Sequence, residues 1–448
     1  MDAVTWLLLY LVVLYAIPSR LVIPALGSAG APSMVLGLLS LLGWGLYQLS
    51  RSRASDELHA FPVRRASVFF VICVCISYVV AMTRPIDGDE VSPADVALLS
   101  VLSWSGTLLV ANDLTPSLGR LRRLVHGLVW AGGLVGLLGL IQFVTGDVLI
   151  DRVAIPGLTS VEFESFERGG FVRPSGTATH PIEFGIILAM VLPFALHMAY
   201  EGAGRSRLMR WAPAVILGVS IALTFSRSAY VSFVVGLLVL IVGWPTRRRL
   251  TFGIGILVVA SLLFAAVPRL FGTINSLFRN VSNDPSISSR TGSYDLAFEF
   301  IAKAPLFGRG LGTFLPKYRI FDNQYLLLLV SVGLVGTLAV LWLFASGIRA
   351  ALAARAGAND PIARDLGLSA AASVAAGAVS LTAFDAFAFP MAMGTLFLVL
   401  GVAGALHRLT GRSLVAPGLL DSVMTPQSGP RRGGHGVRGG ADGHSHRS

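Results

Sequence analysis

Long apolar runs, separated by short polar loops that carry arginines, set the pattern of this chain. The runs lie near 4–17, 32–49, 66–82, 94–112, 122–144, 181–200, 211–226, 227–244, 250–267, 324–348, 365–384 and 388–406. Most of them fit membrane-crossing helices of about 17–25 residues, which predicts an all-α, polytopic protein of about twelve spans. The first run and the seventh and eighth are shorter than the ideal length. The loops test this register independently. Alternate loops hold Arg51, Arg53, Arg64 and Arg65, then Arg120, Arg122 and Arg123, and later Arg349, Arg355 and Arg364. The intervening loops hold Arg20, Arg84 with three acids, and Asp385. Basic loops stay in the cytoplasm, so both termini are expected there.

The stretch from Trp211 to Trp244 is 34 residues long, too long for one span and short for two. Arg205, Arg207 and Arg210 precede it, and Arg247, Arg248 and Arg249 follow it. Basic flanks at both ends predict a hairpin of two short helices with Arg227 at its outward tip. An arginine near bilayer depth costs roughly 2.5–3.5 kcal/mol on insertion scales, so it persists where a cavity, a partner or a ligand receives it.

Composition agrees with a membrane protein: 54% of residues are hydrophobic and 13% charged, against about 25% charged in soluble domains. The net charge of +11 is spread through the loops, with no basic face interleaved with aromatics, so no nucleic-acid partner is expected. The two cysteines, Cys73 and Cys75, sit in one apolar run and point to different sides of a helix. They give no disulfide or metal site. The run from Trp6 to Ile17 lacks a basic region before it and is expected to be a retained first helix.

Two longer connections fall on the outer side, at 145–180 and 268–323. The second, between the ninth and tenth spans, has an amphipathic run from Tyr294 to Ala304 and the sequence Gly308-Arg309-Gly310-Leu311-Gly312. Its apolar content predicts a packed external loop containing helices. Residues 1–406 thus form one membrane-embedded domain. Residues 407–448, rich in Gly, Arg and His, are expected to be a disordered cytoplasmic tail. His435, His444 and His446 there can bind metal weakly, though such tails often carry histidine by composition alone.

Three arginines mark the outer face: Arg173 in Arg173-Pro174-Ser175-Gly176, Arg227, and Arg290 in Ser288-Ser289-Arg290-Thr291-Gly292. Guanidinium is always charged and offers a fork of donors suited to phosphate. Each can instead reach headgroups or pair with Glu162, Glu164 or Asp295. Asp322, next to Asn323 at the exit of the long loop, can take a proton from a hydroxyl or cap the following helix. His180 is expected to bond structurally more than to act as a base, since no partner in the sequence orients it. Glu183 and Asp385 are expected to pair with the outer arginines. Gly308, Gly310 and Gly312 lack the Lys-Ser/Thr of a P-loop and are expected to make tight turns.

These pieces resemble the O-antigen ligase and Wzy-type O-antigen polymerase superfamily of bacterial envelope enzymes. The likeness spans the chain from the first run to about residue 406. It is strongest in Phe171-Val172-Arg173-Pro174-Ser175-Gly176, in Thr224-Phe225-Ser226-Arg227, and from Arg290 through Pro305-Leu306-Phe307-Gly308 to Asp322-Asn323-Gln324-Tyr325-Leu326. The resemblance implies a glycosyltransferase with no cofactor and no metal. Its donor would be an undecaprenyl-pyrophosphate-linked oligosaccharide at the outer face of the cytoplasmic membrane, its acceptor a glycan or lipid. A chain-length regulator and a flippase of the same pathway are the implied partners. Arg173, Arg227 and Arg290 match the arginines that hold the pyrophosphate, with His180, Asn323 and Tyr294 as further substrate contacts. The ligase branch typically has histidine where this chain has Asp322, which favours a polymerase or exopolysaccharide-type member with Asp322 as base. The alternative is a transporter or flippase of a lipid-linked or anionic solute, against which stand the lack of a clear internal repeat and the clustering of charge at one face.

Overall fold

In the computed structural model the described residues are 2–50, 61–147, 153–160, 167–168, 170–201, 206–269, 272–275 and 293–423. Arg290, Glu162, Glu164 and the histidines of the tail lie outside them. The chain divides into Met1–Gly411 and Arg412–Ser448, and the first unit carries everything that follows.

The helices are α1 (Ala3–Ala16), α2 (Pro32–Ser50), α3 (Pro62–Thr83), α4 (Gly88–Leu114), α5 (Leu118–Thr145), α6 (Pro181–Glu201) and α7 (Arg207–Leu223). After them come α8 (Arg227–Gly243), α9 (Thr246–Ala266), α10 (Tyr294–Lys303), α11 (Gln324–Ser331), α12 (Gly333–Gly357), α13 (Pro361–Ser380) and α14 (Pro390–Val423). Among the described residues, nine are long and apolar enough to cross a membrane: α2 to α6, α9, and α12 to α14; α1 and α8 are shorter apolar helices. The structure is that of an all-α, multi-pass membrane protein. Eleven of the predicted runs each fall on one helix, and the last of these helices, α14, runs on past residue 406 to Val423.

One run is broken. The stretch 324–348 is two helices, α11 and α12, parted at Val332. Gly333 takes φ +67°, and a Cβ there would meet the Leu306 carbonyl at 2.4 Å. The break frees carbonyls that the external loop uses. Arg309 N donates to Val330 O at 3.0 Å and Gly310 N to Ser331 O at 2.8 Å, while Leu334 N returns a bond to Pro305 O at 2.9 Å. Backbone groups released from a helix at this depth must find partners, and the loop supplies them.

Local sequence explains most ends. Asp2, Ser117, Ser206, Ser226, Asn323 and Asp360 each accept a backbone N–H as N-caps. The helix α5 stops at Gly146, left-handed at φ +67°. Two small antiparallel pairs join loop segments: Leu21–Val22 of the α1–α2 connection with Thr159–Ser160, and Glu167–Arg168 with Phe171–Val172.

The core sits around α6, whose span is 94% buried, and α14, at 89%. Alanine, serine and glycine of α13 allow close approach to its neighbours. Ser373 Oγ donates to Met190 O of α6 at 2.6 Å, and a Cβ on Gly236 of α8 would lie 3.3 Å from that of Ala376. By contrast, α9 buries none of its span and lies at the rim.

Candidate functional site

The turn between α7 and α8 is built to present Arg227. Thr224 closes α7, its hydroxyl donating to Ile221 O at 2.8 Å. Phe225 then takes φ +48°, the one positive value on a non-glycine among the described residues. Such a conformation at a bulky side chain costs about 1–3 kcal/mol and persists only where the surroundings enforce it. Here the ring is fully buried and stacks on Phe171 at 5.4 Å and 16°, with Phe143 at 6.4 Å. The twist lets Ser226 cap α8, accepting from Ala229 N at 3.4 Å. Arg227 therefore occupies the first position of a helix, half-buried, where the macrodipole and unpaired N–H groups already favour an anion.

Arg173 reaches the same turn from the other side. Its Nε donates to the Thr224 carbonyl at 2.9 Å, and the residue is 9% exposed. The loop that carries it is held by Gln142 of α5, whose side-chain oxygen accepts from Ser175 N at 3.2 Å and Gly176 N at 2.8 Å, and whose amide donates to Gly176 O at 3.1 Å. Gly176 fits because φ is +58° and a Cβ would strike Val135 at 2.7 Å. Gln142 carries no signal in the sequence beyond being polar inside an apolar run.

His180 follows in that loop. Its Nδ1 accepts from Ile182 N at 3.0 Å, so the neutral ring carries its proton on Nε2 and serves as a helix cap and a donor. Burial, aided by the Arg173 charge, pushes its pKa down to about 4. This agrees with the structural role expected from sequence. Glu183 departs from expectation. It does not pair with the outer arginines; it is fully buried and receives Thr179 N and Oγ1 and the Met391 and Ala392 N–H groups at 2.9–3.2 Å. It thereby caps α14.

A second set of candidate residues lies on α11 and the loop between α13 and α14. Asn323, not Asp322, caps α11, accepting from Tyr325 N at 3.0 Å and Leu326 N at 3.3 Å. The capping role expected for Asp322 is thus filled by its neighbour. Gln324 stitches the two segments together. Its N–H donates to Leu381 O at 2.8 Å and Phe384 O at 3.1 Å, and its side-chain oxygen accepts from Phe387 N at 2.9 Å. Ser228 of α8 donates to Ala383 O at 3.3 Å, tying the Arg227 turn to this same loop. Asp385 there is raised to about 6, by burial first and then by the charge of Asp322. Asp322 is thus near enough for its charge to act on Asp385, whose loop is tied to α8 by Ser228.

Other candidates lie elsewhere or serve the scaffold. Tyr294, 42% exposed at the start of α10, forms no hydrogen bond, ion pair or ring contact with these residues among those described. Arg309 is structural: with Arg84 at 2.7 Å it brackets the buried Glu90, which also accepts from Tyr318 at 2.7 Å. Gly308 and Gly310 make the tight turns expected, at φ +68° and +114°. Among the described residues, no group of three or more His, Cys, Asp or Glu is arranged to hold a metal ion.

No curated protein matches the chain. One solved chain, from a structure described as "Structural coordination of polymerization and crosslinking by a peptidoglycan synthase complex", is similar over 80% of this chain and 99% of its own, with 18% identity and a TM-score of 0.41. Likeness at that level assigns neither fold nor function. Residues 212–341, running from α7 through the Arg227 turn into α12, match the family model described as O-Antigen ligase.

Proposed function

We propose that the protein transfers or polymerises glycans carried on undecaprenyl pyrophosphate at the outer face of the cytoplasmic membrane, with both termini inside. The observation that carries this reading is the meeting of Arg173 and Arg227 at one turn inside the matched segment. Two guanidinium groups from separate elements, at the N-terminus of a helix, suit a diphosphate. Arg290, outside the described residues, would be the third.

A groove of about 340 Å³ supports a lipid donor. It is almost wholly apolar, opens on the surface of the bundle between α7 and α8, and is lined by Ile221, Ala222, Tyr230 and Phe233 within two turns of Arg227. A polyprenyl chain would lie there with its pyrophosphate at the arginines. In the reaction, an acceptor hydroxyl oxygen bonds to the anomeric carbon as the bond from that carbon to the pyrophosphate oxygen breaks. The hydroxyl proton passes to Asp322, and the leaving diphosphate keeps the electron pair, held by the arginines. Direct displacement inverts the anomeric centre. Asp385 adds negative charge near Asp322, and His180 offers Nε2–H toward substrate. No step calls on a metal ion or nucleotide.

Asp322 in place of histidine supports a polymerase or exopolysaccharide-type product over transfer to a lipid core. The test is to incubate purified protein in detergent with undecaprenyl-pyrophosphate oligosaccharide and EDTA. Longer glycans on the lipid are expected. Recovery of the lipid-linked oligosaccharide intact, with no new glycosidic bond, would overturn the proposal.

A further inference from the structure

The helix ends opposite the candidate site hold a second organised cluster. Since α7 and α8 have 17 residues each, these ends lie about 25 Å from the Arg227 turn. Tyr200, closing α6, stands between Trp211 of α7 at 5.0 Å and Trp244 beyond α8 at 5.9 Å, and Trp244 meets Phe252 of α9 at 5.2 Å. The Arg248 guanidinium lies over Tyr200 at 3.8 Å and over Trp244 at 4.4 Å. Its terminal nitrogens bind Asp365, which also meets His197 Nδ1 at 2.7 Å.

Four donors in this cluster remain without an acceptor. Tyr200 Oη, Trp244 Nε1, Arg248 Nε and Arg210 Nε are buried atoms with no hydrogen-bond partner among the described residues, and Trp244 as a residue is 3% exposed. Buried donors are nearly always satisfied, so such a concentration asks for an acceptor from outside the chain. The acids nearby are committed: Asp365 as described, Glu201 to Arg122 and His126, and Asp360 to capping α13. Arg207, Arg247 and Arg249 add positive charge around the same ends. A group that accepts several hydrogen bonds and carries negative charge completes this arrangement. Aromatic rings and arginines together at a membrane edge match the depth of lipid headgroups.

We propose that the far ends of α6, α7 and α9 bind the phosphate of an anionic phospholipid through Tyr200, Trp244, Arg210 and Arg248. The bound headgroup would anchor α9, which buries none of its span in the bundle and carries Arg248 in its first turn. This site is separate from the candidate catalytic region and does not depend on the function proposed there.

The test uses the full chain, purified in detergent and offered phosphatidylglycerol, phosphatidylcholine or inorganic phosphate. Retained lipid is counted by native mass spectrometry and thermal stability is followed by tryptophan fluorescence. Phosphatidylglycerol is expected to stay bound and raise Tm, while phosphatidylcholine does neither. Tyr200→Phe and Trp244→Phe keep the rings and remove one donor each, so each should weaken retention by about five-fold. Arg248 is left intact because it also holds Asp365. Equal retention by the double variant and the wild type would overturn the proposal. An equal Tm rise from inorganic phosphate at the same concentration would also overturn it, by assigning the site to free phosphate.

Discussion

Arg173 donates from Nε to the carbonyl of Thr224 at 2.9 Å, which fixes the loop before α6 to the turn that begins α8 at Arg227. One nitrogen of the fork therefore holds the protein together, and the same side chain brings its charge to the turn. Lysine has a single ammonium and cannot serve a backbone carbonyl and a diphosphate with separate nitrogens. Arg173→Lys is expected to lose about 100-fold in turnover of the lipid-linked donor, the scale of removing one preorganised donor from developing charge. Full activity in Arg173→Lys, measured by glycan extension, would remove Arg173 from the site.

Arg227 is placed by the backbone of its neighbour two residues before. Phe225 is held at φ +48° by stacking on Phe171 and Phe143. Phe225→Ala deletes the stack that enforces the positive φ, so the turn should relax and Arg227 should leave its position. Turnover is expected to fall at least ten-fold, with a lowered Tm and unchanged membrane insertion. Phe225→Tyr, which keeps the stack, should retain most activity if its hydroxyl is accommodated. If Phe225→Ala matches the wild type in both turnover and Tm, the turn is held by something else.

Much of this arrangement is legible in the amino-acid sequence. Span-length apolar runs locate the turn between α7 and α8 at Arg227, because hydropathy acts over windows of many residues. Pairings between distant segments are not legible there. Asp322 and Asn323 are both good caps by type, and only the geometry of α11 assigns the cap to Asn323. Gln142 looks like any polar residue in a span until Ser175 and Gly176 are seen bonded to it. The break at Val332 is hidden because Gly333 lies within a run whose hydropathy never drops, and its cause is a segment some twenty-five residues earlier in the chain. Residue type alone sends Glu183 toward a positive charge, whereas the fold gives it four donors from Thr179, Met391 and Ala392.

That hidden break yields a stability prediction. Gly308 takes φ +68°, and a Cβ there would lie 2.3 Å from the Ser331 carbonyl. Neither strain nor clash can relax without breaking the bonds from Arg309 and Gly310 to α11. Gly308→Ala should therefore detach the external loop from the break, lowering stability by about 2–4 kcal/mol. Protease susceptibility of the segment near 305–320 is expected to rise. Gly43→Ala, at a glycine with open space around it, is the control and should leave cleavage unchanged.

The paired carboxylates give a pH dependence with a definite sign. Asp385 is raised from 3.8 to about 6, chiefly by burial and further by Asp322. Below pH 6 Asp385 is neutral and Asp322 acts without a charged neighbour. Above it Asp385 is ionised, and its negative charge helps draw the acceptor proton into the site. The rate should therefore climb as pH rises through about 6. Asp385→Asn should flatten that limb and hold the rate several-fold below the wild-type plateau, whereas Asp322→Asn should abolish turnover at every pH. Stability runs the other way. A carboxyl with a raised folded-state pKa contributes most below its unfolded value near 4, and that contribution is lost as pH rises to about 6, about 3 kcal/mol at most. Asp385→Asn should then be more stable than wild type at pH 8 and slower in turnover, a trade of function against stability. A pH–rate profile for Asp385→Asn that overlays the wild type would show that the two carboxylates do not act together.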